Sequence, residues 1–148
     1  MRIAVLHGPS LNLLGQREPA VYGHASLAEV DRRTEQVAHE LGVELECFQS
    51  NAEGALIDFI HEAGTRVDGF VVNAAGLTHT SVALLDALLA VGRPYVEVHL
   101  SNPAGRERFR RRSLLSRNAR GVVQGFGAAS YELGLRGLVE ALHAEPNR

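Results

Sequence analysis

Five short apolar runs alternate along this chain with segments of helical period, and that alternation limits the folds open to it. The runs are Ile3–Leu6, Val43–Phe48, Phe70–Val72, Tyr95–Leu100 and Gly121–Gln124. They are strand-length and rich in β-branched or aromatic residues. Between the first two, Leu27, Val30, Thr34, Val37, Ala38 and Leu41 recur at three-to-four spacing. This predicts an amphipathic helix with Ser26 as N-cap and Gly42 as its stop. Glu53–Ala63 repeats the pattern with Leu56, Ile57 and Ile60, and Thr80–Val91 repeats it up to Gly92. Glu107–Arg112 fits a short helix or turn, and Ala129–His143 closes the chain with a helix bearing Leu133, Leu135, Leu138, Val139 and Leu142.

A strand and then a helix, five times over, predicts an α/β fold with a parallel sheet. Five such units in 148 residues fit a flavodoxin-like three-layer sandwich with a five-stranded parallel sheet, in one domain spanning 1–148. A chain of this size buries roughly two-thirds of its unfolded surface, so a core without staples is expected. Cys47 is the only cysteine, which excludes an intramolecular disulfide and suits a reducing compartment. The start, MRIAVLHGPS, lacks the apolar core of a secretion signal, and no run approaches the ~18 apolar residues of a membrane span. A cytoplasmic protein without a membrane partner is expected. The net charge of −2 argues against a chain-wide affinity for nucleic acid. All 15 basic residues are arginine, so lysine Schiff-base chemistry and a P-loop lysine are both excluded.

Ligands of such sheets bind beyond the carboxyl ends of the strands, so the segments after the strands are the places to search. The first is HGPSLNLLGQREPAVYG, a lid-like loop at about 8–25 carrying Arg17 and Tyr22. The third is NAAGLTHTS, with Asn73, His79, Thr80 and Ser81. Asn73 also fits a plain strand terminator, and Thr80 or Ser81 a helix cap. The fourth is EVHLSN, with Glu97, His99, Ser101 and Asn102. Glu97 and His99 are two apart and share a strand face, which reads as a histidine oriented by a carboxylate or as a satisfied core histidine. Arg106 and Arg110 follow at i and i+4, on one face if that segment is helical. The surrounding arginine run reads as a solvated face, as intersubunit ion pairs, as a nucleic-acid contact that lacks interleaved aromatics beyond Phe109, or as contacts to an anionic or polyhydroxylated substrate. The histidines show no closed ligand spacing, so no metal is expected, and His7, His24, His39 and His143 receive no role. His7-Gly8-Pro9 after the first strand lacks a receiver domain's acidic cluster, and SLNLLG is a poor flavin-phosphate loop.

Taken together, GPSLNLLGQREPAVYG, QSNAEGALIDFIHEA, VVNAAGLTHTSVALLDAL, YVEVHLSNPAGRERFR and GFGAASYELGLRGL resemble the type II 3-dehydroquinate dehydratases over nearly the whole chain. The resemblance implies dehydration of 3-dehydroquinate to 3-dehydroshikimate through an enolate, without cofactor, by a homododecamer built as a tetramer of trimers. The absent lysine agrees, because the unrelated type I enzymes work through a lysine Schiff base. The resemblance implies Tyr22 as base, as a phenolate, with Arg17 supplying positive charge beside it. A phenol ordinarily ionises near pH 10, so a phenolate near neutrality needs roughly 4 kcal/mol of preferential stabilisation. His99 matches the acid for the leaving hydroxyl and Glu97 its orienting carboxylate. Asn73, Leu100 and Ser101 match the substrate-carboxylate site, His79 and Arg110 the contacts to ring hydroxyls, and Arg106 a supporting arginine. Asp86 matches a residue that reaches a neighbouring subunit's site.

The chain departs from the family at Ser10, where an asparagine usually holds a water against the enolate oxygen. Serine offers one hydroxyl donor on a shorter arm. Losing an oxyanion donor can cost ~10²–10³ in rate. A paralogue with weakened or no catalysis, acting as a binding protein, is therefore the alternative reading. His7 likewise stands where asparagine is common, and Ser113-Leu114 replaces a Ser-Tyr pair.

Overall fold

The computed structural model describes residues 1–16 and 18–145. Strands β1 (Arg2–His7), β2 (Glu44–Gln49), β3 (Gly69–Asn73), β4 (Tyr95–His99) and β5 (Gly121–Gln124) form one parallel sheet in the order β2-β1-β3-β4-β5. Among the described residues, five α-helices accompany them: α1 (Pro19–Tyr22), α2 (Leu27–Leu41), α3 (Glu53–Ala63), α4 (Val82–Val91) and α5 (Ala129–Ala144). This is the flavodoxin-like winding expected from the pattern. The order reverses between β1 and β3, so the segments leaving these two strands diverge and open a crevice.

Strand parity sorts the core into two layers. Ile3, Val5, Val71, Val96 and Val98 face α2 and α5, where they meet Val30, Val37, Tyr131, Leu135 and Leu138. Ala4, Leu6, Phe70, Val72 and Tyr95 face α3 and α4, where they meet Leu56, Ile60, Leu84 and Leu88. Both faces are covered, which is why β1 and β3 read as continuous apolar runs rather than alternating ones. α2 begins and ends where its sequence says it should. Ser26 Oγ accepts the Glu29 N–H at 3.2 Å, and Gly42 takes φ 69°.

Two readings differ from expectation. The fourth helix starts at Val82, not Thr80, because Ser81 Oγ accepts the Leu84 N–H at 2.9 Å and so caps it, while Ala75–His79 forms a 3-10 segment before it. The lid region is not irregular throughout. Pro19 opens α1 with its preset φ and Gly23 (φ 82°) closes it, so a one-turn helix sits inside the loop. Of the two forms expected for Glu107–Arg112, the turn is the one found: a 3-10 turn at Arg108–Arg110, so Arg106 and Arg110 do not share an α-helical face.

Candidate active site

The site grows from a close approach of two strand ends. The Gly8 N–H donates to the Asn73 carbonyl at 2.8 Å, tying the segment after β1 to the end of β3. A Cβ on Gly8 would stand 2.4 Å from the Ala74 carbonyl oxygen, so no other residue lets the chains lie this near. Two residues on, Ser10 takes φ 69°, a left-handed conformation uncommon outside glycine and asparagine. Its N–H donates to Asn51 Oδ1 at 2.8 Å, and Gln49 Nε2 donates to the same oxygen at 3.1 Å. The loop after β2 thus braces the loop after β1.

A cavity of about 220 Å³ opens at this crevice. Ser10, Tyr22, Asn73, His79, His99, Leu100, Ser101, Arg106 and Arg110 all line it. Tyr22 is brought there as the last residue of α1, with the Arg106 guanidinium 5.2 Å from its ring centroid. That is cation–π range and places positive charge beside the phenol. Two other residues singled out in the sequence stand elsewhere: Glu97 lies behind His99, and Asp86 is exposed on α4 away from the cavity. Arg17 lies outside the described residues.

Glu97 and His99 share the β4 face that Tyr95 presents towards α3 and α4. Glu97 is 1% exposed, and its Oε2 lies 2.6 Å from His99 Nε2. Its Oε1 accepts from both Ser113 Oγ and Ser116 Oγ at 2.8 Å. Burial pushes the carboxyl up, but the hydrogen bonds and charge of His99 and the two serine hydroxyls outweigh it and hold Glu97 below the usual carboxylate range. An ionised Glu97 can only accept, so His99 carries a proton on Nε2 and turns its other ring edge towards the cavity. The loop bearing both serines is clamped by the Leu114 N–H on the Thr78 carbonyl and by the Tyr95 hydroxyl on the Leu115 carbonyl. Burial, followed by the Glu97 charge, pushes the Tyr95 phenol up to about 12, so it stays a donor.

Polar side chains around the cavity are fixed as well. His79 Nδ1 donates to the Arg112 carbonyl at 2.8 Å, which leaves Nε2 for the cavity. Arg110 Nε donates to Glu107 Oε2 at 2.9 Å. The Asn73 Oδ1 accepts the Ala75 N–H at 3.1 Å. The arrangement joins a phenol, an oriented imidazole, two guanidiniums and an amide in one crevice, which suits proton transfer on an anionic, hydroxylated molecule.

The family profile described as Dehydroquinase class II matches residues 1–139. The chain belongs to the class II dehydroquinases. It is 57% identical over 140 residues to a 3-dehydroquinate dehydratase from Desulforudis audaxviator, covering 95% of this chain and 93% of that one. It is 54% identical over 142 residues to one from Synechococcus, covering 96% and 97%. The crystal structure of the type II dehydroquinase from Butyrivibrio crossotus superposes with a TM-score of 0.91 at 38% identity, covering 94% of this chain and 97% of that one.

In this dehydroquinase, sequence reasoning missed the residues that hold the site from behind. Ser113 and Ser116 follow the arginine run and carry no motif that would tie them to Glu97. His7, expected at a strand end or surface without a role, is 0% exposed. It faces α2 and α5, with Nδ1 2.9 Å from Tyr131 Oη and Nε2 2.7 Å from Asp31 Oδ1. The available signal was a polar residue ending an otherwise apolar strand. Cys47 is hydrogen-bonded to Asp31 in the same place. Burial, then the Asp31 charge and that hydrogen bond, push its thiol well above the usual range. Ligand-capable atoms of His7, Asp31 and Cys47 lie within 4.8 Å of one another, a grouping their sequence positions did not suggest.

Proposed function

We infer that this chain dehydrates 3-dehydroquinate to 3-dehydroshikimate, the hydro-lyase step of the shikimate pathway. The observation that carries the mechanism is one cavity lined by both Tyr22 and His99, the latter backed by ionised Glu97. Tyr22 as phenolate removes a proton from the carbon beside the ketone. The electron pair moves onto the ketone oxygen as an enolate. When the ketone re-forms, the pair makes the new C=C bond and the C–O bond to the β-hydroxyl breaks. His99, protonated for this step also on Nδ1, the nitrogen not held by Glu97, donates that proton to the departing oxygen, and water leaves. Tyr22 is then neutral and His99 has lost a proton; one proton transfer resets the pair.

Positive charge lowers the cost of the phenolate and of the enolate. Arg106 over the Tyr22 ring supplies part of it, and Arg17 is assigned the rest. Asn73 with the Leu100–Ser101 segment takes the substrate carboxylate, and His79 and Arg110 take the ring hydroxyls. Ser10 takes the place beside the enolate oxygen. The scheme uses no cofactor and no metal.

The subunit is proposed to be one domain that works in the cytoplasm as part of a homododecamer. Val82 and Leu89 are 58% and 47% exposed, and with Asp86 they stand at i, i+7 and i+4 on α4. An apolar stripe carrying one carboxylate fits a subunit contact that delivers Asp86 to a neighbour's site. Among the described residues no helix is long and apolar enough to cross a membrane.

The test is absorbance in the enone band of 3-dehydroshikimate, with purified protein, 3-dehydroquinate and a chelator. Turnover is expected, and Tyr22→Phe should abolish it while leaving the fold intact. Near-normal turnover by that variant would remove Tyr22 as base. Ser10 motivates one other reading, a dehydroquinase-like binding protein. That reading wins if product stabilises the fold but no turnover occurs, and Ser10→Asn restores it.

A further inference from the structure

The hydrogens of a buried polar chain can be assigned one by one, starting from a backbone donor. The Ala75 N–H can only donate, so the Asn73 atom 3.1 Å from it is the side-chain oxygen. Asn73 Nδ2 therefore faces Tyr131 Oη, at 2.9 Å, and donates to it. The phenol must then pass its own proton to its other neighbour, His7 Nδ1, also at 2.9 Å. A ring nitrogen that accepts carries no proton, so the neutral His7 is protonated on Nε2 and donates to Asp31 Oδ1 at 2.7 Å. The Cys47 thiol is hydrogen-bonded to the same carboxylate. Every group in this chain has a single consistent role. The opposite tautomer would aim two donors at the Tyr131 oxygen and leave its own proton facing them in a fully buried place.

Parity explains why these residues meet. His7 and Asn73 are paired across β1 and β3 and point to the α2/α5 side, where α5 supplies Tyr131 and α2 supplies Asp31. Tyr131 and His7 are both 0% exposed, so neither can exchange its partner for water. An amide nitrogen carries two hydrogens. With one spent on Tyr131, the second serves the cavity that Asn73 lines.

We propose that Asp31 is a positioning residue for substrate binding: by fixing the His7 tautomer it sets the Tyr131 hydroxyl, which locks the Asn73 amide with its nitrogen towards the cavity. This rests on the reading of Asn73 as a contact to the substrate carboxylate. Asp31 touches no substrate itself. It sits on the side of the sheet covered by α2, remote in sequence from Asn73, and acts through two intermediates.

Three measurements test this. Ring-nitrogen NMR of the histidine-labelled protein should show His7 as the neutral Nε2–H tautomer; a predominant Nδ1–H form overturns the proposal. Steady-state kinetics then read the effect on binding. Asn73→Ala should raise KM by about ten- to a hundredfold, the scale of a lost hydrogen bond to a charged group. Tyr131→Phe and Asp31→Leu should each raise KM about five- to tenfold with kcat within about twofold. Asp31→Asn, which retains an oxygen acceptor, should recover most of the affinity. Variants that melt earlier but keep the parent KM would show a merely structural chain and sink the idea. If Asp31→Leu does not fold, the nearly isosteric Tyr131→Phe decides. An unchanged KM in Asn73→Ala overturns the substrate role of Asn73 and with it the functional step, while the NMR result still reports the tautomer separately. Titration with Zn²⁺ closes the remaining route. Stoichiometric binding lost in Cys47→Ala would put a metal, not a proton, on His7 Nε2 and overturn the assignment.

Discussion

Ser10 holds φ 69° with a side chain that gains little from it. Asparagine enters the left-handed region several-fold more readily than most residues, because its short polar side chain bonds locally. Ser10→Asn is expected to raise Tm by about 1–3 °C, from ~0.5–1 kcal/mol of relieved backbone cost. It should also raise kcat by supplying an amide donor beside the enolate. A lower Tm would show that the Asn51 brace, not the residue type, sets this conformation. Glu97 permits a second residue-scale prediction. Its folded pKa lies below its ordinary value, so its contribution to stability is present above the ordinary carboxylate range. That contribution is lost as pH falls through the lowered value. Ser113→Ala removes one of the two hydroxyl donors on Oε1. The acid limb of the Tm–pH profile should therefore move to higher pH, and kcat should fall about tenfold as His99 loses its fixed partner. An unmoved acid limb would argue that Ser116 alone holds the carboxylate.

At the scale of elements, the site depends on how closely β1 and β3 release their following segments. Gly8→Ala forces a Cβ into the Ala74 carbonyl, a backbone atom that cannot rotate away. The two segments must part, and Ser10 moves relative to Asn73. Displacements of about 1 Å cost up to ~10² in rate. Gly8→Ala is thus expected to lower kcat/KM by about 10–10²-fold and to destabilise the fold by roughly 1–3 kcal/mol. Parent-like kinetics would mean that the loops adjust independently. The elements of this fold were largely legible beforehand, because apolar period and caps such as Ser26 and Gly42 act within a few residues. α1 was not. Its four residues carry no buried apolar face, and only Pro19 and Gly23 mark its ends. The separation of Ala75–His79 from α4 was also unread, since Thr80 and Ser81 both look like caps and only one hydroxyl meets the Leu84 N–H.

On the whole molecule, the exposed stripe of α4 is the feature a lone subunit leaves unexplained. Val82 and Leu89 flank Asp86 there, and Phe109 and Phe126 are 67% and 64% exposed elsewhere. Burying a side chain such as Leu89 is worth roughly 1.5–3 kcal/mol, whereas a charge at a packed contact costs more. Leu89→Glu should therefore reduce the size seen in sedimentation while the subunit stays folded. If Asp86 serves a neighbour's cavity, the same variant should lose activity. Retained size and activity would remove α4 from the proposed assembly.

The sequence by itself determined the layered sheet, the strand ends where chemistry would gather and the polar residues that line the cavity. Those signals are local in period or carried by contiguous motifs. Only the tertiary structure decided what stands behind them. Glu97 meets Ser113 and Ser116, Asn73 meets Tyr131, and His7 joins Tyr131 to Asp31, across sequence separations of up to 124 residues. The physical reason is that a hydrogen bond needs atoms within about 3 Å and correct donor roles. Strand register and helix packing set that proximity, and no spacing along the chain records it.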